Sequence, residues 1–344
     1  MIKKAMIMAA GVGSRLDPLT KSTPKPLIPI VNQPVMDLLL KHLALYGIKE
    51  VIANTHCLAD DIKQRYENLN PTNVQCTCVF EQTLSGTAGG VKKCEHFFKD
   101  EDSFIVLSGD GVTRANIGEI IQSHITSGTI ATMGLTEVPM EEVKHFGVVV
   151  PDQKGFVQEF QEKPPIEQAK SNLVNTGIYV FKKEIFEYIP ANIFYDFAKN
   201  VFPALMANNK KINTFVIKDY WSDIGTLNQY RLSTADMLNG KFQIDFGYNK
   251  TNFGYAAASS KIGAVIPKNT ITAVGENSFI ENGVTLEHCN VIGNNCIIKA
   301  GSTLNNCIVW DNVTIEENIA LDNCIIANNV IIKRNTVVAK DTVV

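Results

Sequence analysis

Ala5-Met6-Ile7-Met8-Ala9 runs without a break into Ala10-Gly11-Val12-Gly13-Ser14-Arg15-Leu16, then Asp17-Pro18-Leu19-Thr20 and Pro24-Lys25-Pro26. The first stretch is an apolar run of strand length. A glycine-rich turn follows it, with two basic residues behind. Glycines let the chain bend tightly and leave N–H groups unhindered toward an anion, so the arrangement suits phosphate. Arg15 and Lys25 add positive charge. The turn lacks a Gly-Lys-Ser/Thr ending and the third glycine of a dinucleotide loop, so it is neither of those motifs. Gly-x-Gly alone also fits a plain tight turn.

Outward from this turn, strand-like and helix-like segments alternate to about residue 240. Strands are expected at 5–9, 50–54, 75–80, 103–107 and 129–135, and helices at 35–46, 58–69, 117–127 and 226–240. Val35, Leu38, Leu39, Leu43 and Tyr46 keep helical spacing. Strands separated by helices of this length predict a mostly parallel, Rossmann-like α/β sheet, with ligands beyond the carboxyl ends of its strands. Residues 146–150, 155–160 and 174–181 read as antiparallel strands, which makes the sheet mixed.

From about residue 258 the period changes. Ile280, Leu286, Ile292, Ile298 and Leu304 recur every sixth position, under a longer repeat of 17 or 18. Ile292, Val309 and Ile326 form one column; Ile298, Ile315 and Ile332 form another. Asn295, Asn312 and Asn329 form a third, and Cys289, Cys307 and Cys324 are read as a fourth. Such columns predict stacked coils of three short strands each. Asparagine tolerates left-handed corners, and stacked amides can hydrogen-bond. The cysteines read as small core residues rather than a metal site. The expected division is a catalytic domain at 1–240, a junction at 241–258 and a coil domain at 259–344. Phe242, Phe246, Tyr248, Phe253 and Tyr255 make the junction a packing segment.

The charge is balanced, with 32 basic and 35 acidic residues, and no long basic run occurs. Nucleic acid and anionic membrane surfaces are therefore not expected partners. No apolar run reaches 18 residues, and no signal peptide or C-x-x-C pair is found. A cytoplasmic location with reduced thiols is expected.

The motif of the first paragraph resembles the nucleotide-sugar pyrophosphorylases, or sugar-1-phosphate nucleotidyltransferases. The resemblance continues through Gly109-Asp110, Glu162-Lys163-Pro164, Asn175-Thr176-Gly177 and Trp221-Ser222-Asp223-Ile224-Gly225. It is nearest to mannose-1-phosphate guanylyltransferases with a C-terminal hexapeptide-repeat domain. Ala10 stands where the family usually has glycine, and Ser14 where it has threonine. Ala10 then requires negative φ or a tolerated strain. The family implies a nucleotidyltransferase domain followed by a left-handed parallel β-helix. It also implies transfer of a nucleotidyl group from an NTP to a hexose 1-phosphate.

The resemblance carries roles residue by residue. Ala10, Gly11, Gly13 and Ser14 would line the triphosphate, with Arg15 on the departing phosphates and Lys25 near the α-phosphate. Asp110 and Asp223 would hold Mg²⁺, whose hard oxygen preference suits two carboxylates and phosphate. Gly147, Glu162, Lys163 and Asn175 would bind the sugar phosphate. Glu81 and Gly86 fall in the base-reading segment. A carboxylate accepts only, which matches the adjacent donors of guanine; glutamine suits uracil or thymine. Glu81 therefore favours GTP, with mannose 1-phosphate as acceptor, whereas a one-residue shift would present Gln82. A UTP- or dTTP-dependent glucose-1-phosphate enzyme stays open, as does a non-catalytic regulatory subunit. An acyltransferase centred on His288 fits less well, because no long loop accompanies it. Homo-oligomerisation through the β-helix is expected.

Overall fold

The computed structural model describes residues 2–241 and 245–344. Phe242, expected in the aromatic junction, lies outside the described residues. The chain forms two compact units. One comprises 1–12, 24–27 and 35–223; the other comprises 13–23, 28–34 and 224–344.

The first unit is built on a nine-stranded mixed sheet. Its elements are β1 (Lys4–Met8), α1 (Val35–Leu45), β2 (Glu50–Thr55), α2 (Ala59–Lys63), β3 (Gln75–Phe80), α3 (Gly86–Lys93), β4 (Ser103–Ser108), β5 (Gly111–Thr113), α4 (Ile117–Ser127), β6 (Ala131–Glu137), β7 (Gly147–Pro151), β8 (Val157–Glu162), β9 (Leu173–Lys182), α5 (Phe202–Ala207), β10 (Ile212–Val216) and β11 (Trp221–Asp223). The sheet path is β8-β7-β9-β4-β1-β2-β3, with β6 joining β9 to β10. β3, β2, β1 and β4 are mutually parallel, and β9 runs antiparallel to β4.

Met8 pairs in register with both Asn54 and Ser108. The carboxyl ends of three strands therefore coincide, and the loops that leave them share one edge. Ala5, Met6, Ile7, Ile52, Ile105 and Val106 are fully buried, as strands covered on both faces require. α3 and β10 were not expected from the sequence. Two glycines interrupt the apolar pattern of α3, and β10 is only five residues long.

The second unit contains α6 (Leu227–Leu238) and the stacked coils. Thr226 caps α6 by accepting from the Gln229 N–H at 3.2 Å. The Tyr230 hydroxyl donates to Pro29 O at 2.7 Å and accepts from Trp310 Nε1 at 2.9 Å. These contacts group α6 with the coils, so packing does not follow a linear cut at residue 240. Phe246 and Tyr255 stack edge to face at 4.8 Å, and Asn32 donates to the Tyr248 hydroxyl at 3.2 Å.

The coils form three sheets whose coil-to-coil pairings are all parallel, as a hexapeptide-repeat left-handed β-helix domain requires. Ile280, Leu286, Ile292, Ile298 and Leu304 are fully buried. Asn295, Asn312 and Asn329 have φ of 54, 60 and 65°, and their amides bond from coil to coil at 3.2 and 3.1 Å. One column needs correction. Val291 pairs with Ile308, a step of 17, so Asn290 rather than Cys289 lies over Cys307. Asn290 is fully buried and accepts from the Cys307 N–H at 2.9 Å. Cys307 and Cys324 do stack, and their thiols donate to the carbonyls of Asn305 and Asp322, both at 3.3 Å.

Candidate active site

β4 ends at Ser108, and the Gly109 N–H continues the ladder to Met8 O at 3.0 Å. Asp110 follows at once. Its Oδ1 accepts from the Ser108 hydroxyl at 2.6 Å, and its Oδ2 pairs with the buried Lys25 ammonium. Burial pushes the Asp110 carboxyl up. The Lys25 charge and the hydrogen bonds from Lys25, Ser108 and its own backbone outweigh that, so it is held below the usual carboxylate range. The adjoining strand β5 pairs antiparallel with β11, and Gly111 lies opposite Asp223. Two aspartates more than a hundred residues apart in sequence thus flank one short ladder.

The residues expected at the sugar phosphate lie at neighbouring strand ends. Gly147 opens β7 opposite Glu162, the last residue of β8. Lys163 turns out of β8 with φ of 47° and bonds back to Phe146 O at 3.1 Å. Asn175 lies where the β9–β6 register shifts. Its Oδ1 accepts from the Gly177 N–H at 3.0 Å, and its amide donates to the Tyr179 hydroxyl at 2.6 Å. Gly177 has φ of 73°, and a Cβ there would lie 2.8 Å from Ser108 Cβ. The Asn175-Thr176-Gly177 bulge therefore packs β9 directly against the residue that holds Asp110. Trp221 Nε1 donates to Thr176 O at 3.1 Å, which ties β11 to the same bulge.

The segment expected to read the base is built around Glu81. This carboxylate is 1% exposed. Its Oε1 accepts from Asn54 Nδ2 at 2.6 Å, and its Oε2 accepts from the Ser85 N–H, the Ser85 hydroxyl and Lys93 Nζ. Asn54 in turn accepts from the Ala9 N–H at 3.0 Å. One polar chain therefore joins the end of β1 to the 81–89 segment. The Glu81 oxygens face inward, whereas Gln82 is exposed. This departs from a Glu81 presented to a ligand. The cause is the Asn54 amide beneath it, a polar residue at the end of an apolar strand. Gly86 has φ of 78°, and a Cβ there would lie 2.4 Å from Tyr195 O, so no side chain fits.

Gly11 lies in the first unit and Gly13, Ser14 and Arg15 in the second. Ala10 avoids positive φ, as its Cβ requires, and the left-handed position falls on Gly13, at 74°. Ser14–Leu16 form a single 3₁₀ turn that leaves Arg15 exposed.

The nucleotidyl transferase family model matches residues 4–240. The chain belongs to the nucleotidyl transferase family. A second model, the EIF2B subunit epsilon left-handed β-helix domain, matches residues 253–344. A UTP–glucose-1-phosphate uridylyltransferase of Synechocystis is 37% identical over 69% of this chain and 63% of its own length. A mannose-1-phosphate guanylyltransferase of Mycobacterium tuberculosis is 30% identical over 69% of this chain and 65% of its own length. The chain thus spans less than two thirds of either relative. The solved structure of HddC from Yersinia pseudotuberculosis complexed with GMP-PN superposes with a TM-score of 0.59. It is 24% identical and covers 69% of this chain and all of that one, which shows the shared fold.

A divalent metal ion is general to nucleotidyl transferases. In this one, no group of three or more His, Cys, Asp or Glu side chains could hold a metal among the described residues. The two flanking aspartates nonetheless fit a cation that takes its remaining ligands from phosphate oxygens and water, as Mg²⁺ does. Ser108, Asn54, Ser85, Lys93 and Tyr179 escaped the sequence reading. Each acts by touching a motif residue, and only Asn54, polar at the end of an apolar strand, carried a signal. No helix among the described residues is long and apolar enough to cross a membrane.

Proposed function

We propose that this chain transfers a nucleotidyl group from an NTP to a hexose 1-phosphate and releases pyrophosphate. The observation that carries this reading is the Lys25–Asp110 ion pair beside the ladder that sets Asp223 opposite Gly111. Lys25 is held by Asp110 until a phosphate oxygen competes for it, and then offers its charge to the α-phosphate. The acceptor is already a phosphate anion, so no general base is needed; the task is to bring two anions together and stabilise the transferring charge. Mg²⁺, bound through Asp110 and Asp223, would supply charge neutralisation at the phosphates. Gly11, Gly13, Ser14 and Arg15 are assigned to the triphosphate, following the resemblance. Gly147, Glu162, Lys163 and Asn175 are assigned to the hexose 1-phosphate. Tyr179 fixes the orientation of the Asn175 amide.

For the base, two readings stand. GTP with mannose 1-phosphate is supported by the acceptor-only chemistry of Glu81 and by the mycobacterial relative. UTP or dTTP with glucose 1-phosphate is favoured by geometry, because the Glu81 oxygens are engaged inside the protein and an exposed amide, Gln82, stands next to them. The cyanobacterial relative supports it too. We therefore place the pyrimidine reading first. The catalytic domain is assigned to 1–240, the junction to 241–258 and the β-helix to 259–344. Homo-oligomerisation through the β-helix is supported by an outward column of Phe279, Ile297, Thr314 and Ile331, whose three apolar members are exposed. Pyrophosphate release with Mg²⁺ tests the transfer reading. Lys25→Met should abolish it and Asp223→Ala should lower it about a thousandfold, and wild-type turnover in either would overturn the assignment.

A further inference from the structure

Asp223 is set opposite Gly111 by a ladder of three residue pairs, and that ladder is a two-stranded sheet of its own, outside the nine-stranded sheet. A strand pair this short is marginal without outside support. Trp221 supplies one support on the β11 side, through Thr176 O. His42 on α1 supplies another on the β5 side. It is buried, and its Nε2 meets Ala115 O at 2.8 Å. A carbonyl only accepts, so Nε2 carries the proton. Nδ1 is buried as well and has no hydrogen-bond partner. Burial pushes the imidazole pKa down, against the pull of the Ala115 bond and of Asp219; Arg114 lowers it further. The ring is therefore neutral, with a single N–H spent on the Ala115 carbonyl. From Ala115 a hydrogen-bonded path runs to the ladder. The Ala115 N–H donates to Thr113 Oγ1 at 3.0 Å, and Thr113 Oγ1 donates to Tyr220 O at 3.2 Å. The Arg114 N–H donates to the same carbonyl at 2.9 Å. Thr113 pairs with Trp221, two residues before Asp223.

We infer that His42 is a positioning residue for nucleotidyl transfer: it fastens the β5–β11 ladder to α1 and so holds Asp223 in place for the cation. The inference rests on the transfer reading above and deepens it. His42 touches neither aspartate and acts through the Ala115 carbonyl alone. Ala115 is fully buried, so removing its donor takes a partner from a carbonyl shielded from water, and the short ladder is free to shift in response.

The test compares three variants of the full chain with wild type, at a temperature where all are folded. His42→Leu removes the donor and keeps an apolar filling. His42→Gln keeps an N–H donor near the reach of Nε2. Thr113→Val cuts the same path one link nearer the ladder, with its shape kept, and serves where His42→Leu does not fold. The readouts are hydrogen–deuterium exchange of segments 111–115 and 219–223, and pyrophosphate release as a function of Mg²⁺ with the best NTP and sugar 1-phosphate. His42→Leu and Thr113→Val should speed exchange in both segments and raise the Mg²⁺ needed for half-maximal release about tenfold, the size of effect that groups supporting a metal ligand have. His42→Gln should return that requirement to within about threefold of wild type. A residue that only fills the core would lower Tm and leave the Mg²⁺ requirement where it was. Wild-type exchange or a wild-type Mg²⁺ requirement in folded His42→Leu or Thr113→Val would overturn the inference, as would no recovery in His42→Gln. Wild-type protein that releases no pyrophosphate would instead overturn the transfer reading, and the positioning role with it.

Discussion

Glu81→Gln separates two roles for one residue. The carboxylate is an internal brace that accepts from Asn54, Ser85 and Lys93. Glutamine keeps one acceptor for Asn54 but turns a donor toward the Ser85 N–H and Lys93. The Ser85 hydroxyl can rotate to accept, and Lys93 is about a third exposed, so neither adds much. The remaining loss is one or two charge-assisted hydrogen bonds, about 2–3 kcal/mol. For a domain of this size that lowers Tm by roughly 4–12 °C. Calorimetry should show the drop in one unit's transition. Catalytic efficiency should fall for all NTPs in parallel, because the brace also holds Ala9 through Asn54. A side chain that reads a base discriminates by about 1–3 kcal/mol, roughly 5- to 150-fold. An unchanged Tm with a tenfold shift in the GTP-to-UTP ratio would refute the brace and restore Glu81 as base reader. Burial raises the Glu81 pKa, but the Ser85, Asn54 and Lys93 contacts hold it below its ordinary value. Its stabilisation is therefore present above the unfolded carboxyl pKa and lost as pH falls through the folded one, and Glu81→Gln should flatten that acid limb of a Tm–pH curve.

Asp223→Ala should leave Tm within a few degrees yet lower turnover about a thousandfold, equivalent to about 4 kcal/mol in the barrier; steady-state kinetics beside a melting curve checks both. Gly147→Ala places a Cβ 2.6 Å from Phe160 Cζ and 3.3 Å from Glu162 Oε2. It should raise KM for the sugar phosphate about tenfold without moving KM for the NTP, since the displaced groups lie at the sugar end. Asn312→Ala puts alanine, which lacks the short polar side chain that makes asparagine tolerant of left-handed backbone, at φ of 60° and removes two amide bonds of the coil ladder. Urea unfolding should report a loss of about 2–4 kcal/mol.

Period and punctuation made most of the architecture legible. β1, β3 and α4 lie where alternation of apolar runs placed them, and the Asn295 column gave the coil corners. Cys289 misled because a step of 18 and a step of 17 differ by one residue, and one residue turns a side chain to the other face. The aspartates were legible only through the motif, because a ladder between β5 and β11 joins segments that share no local signal. Glu81 shows the limit most clearly. Its type was readable, but its direction was set by Asn54, and strand pairing between β2 and β3 cannot be read from either residue alone.

The most direct test is pyrophosphate release with Mg²⁺ across a grid of GTP, UTP, dTTP, ATP and CTP against mannose, glucose, galactose and N-acetylglucosamine 1-phosphates. The account predicts strong release in at least one cell, highest with UTP or dTTP and glucose 1-phosphate, and lost in Lys25→Met. A maximum with GTP and mannose 1-phosphate would keep the transfer chemistry and contradict the base assignment. No release from folded protein in any cell would contradict the transfer reading itself.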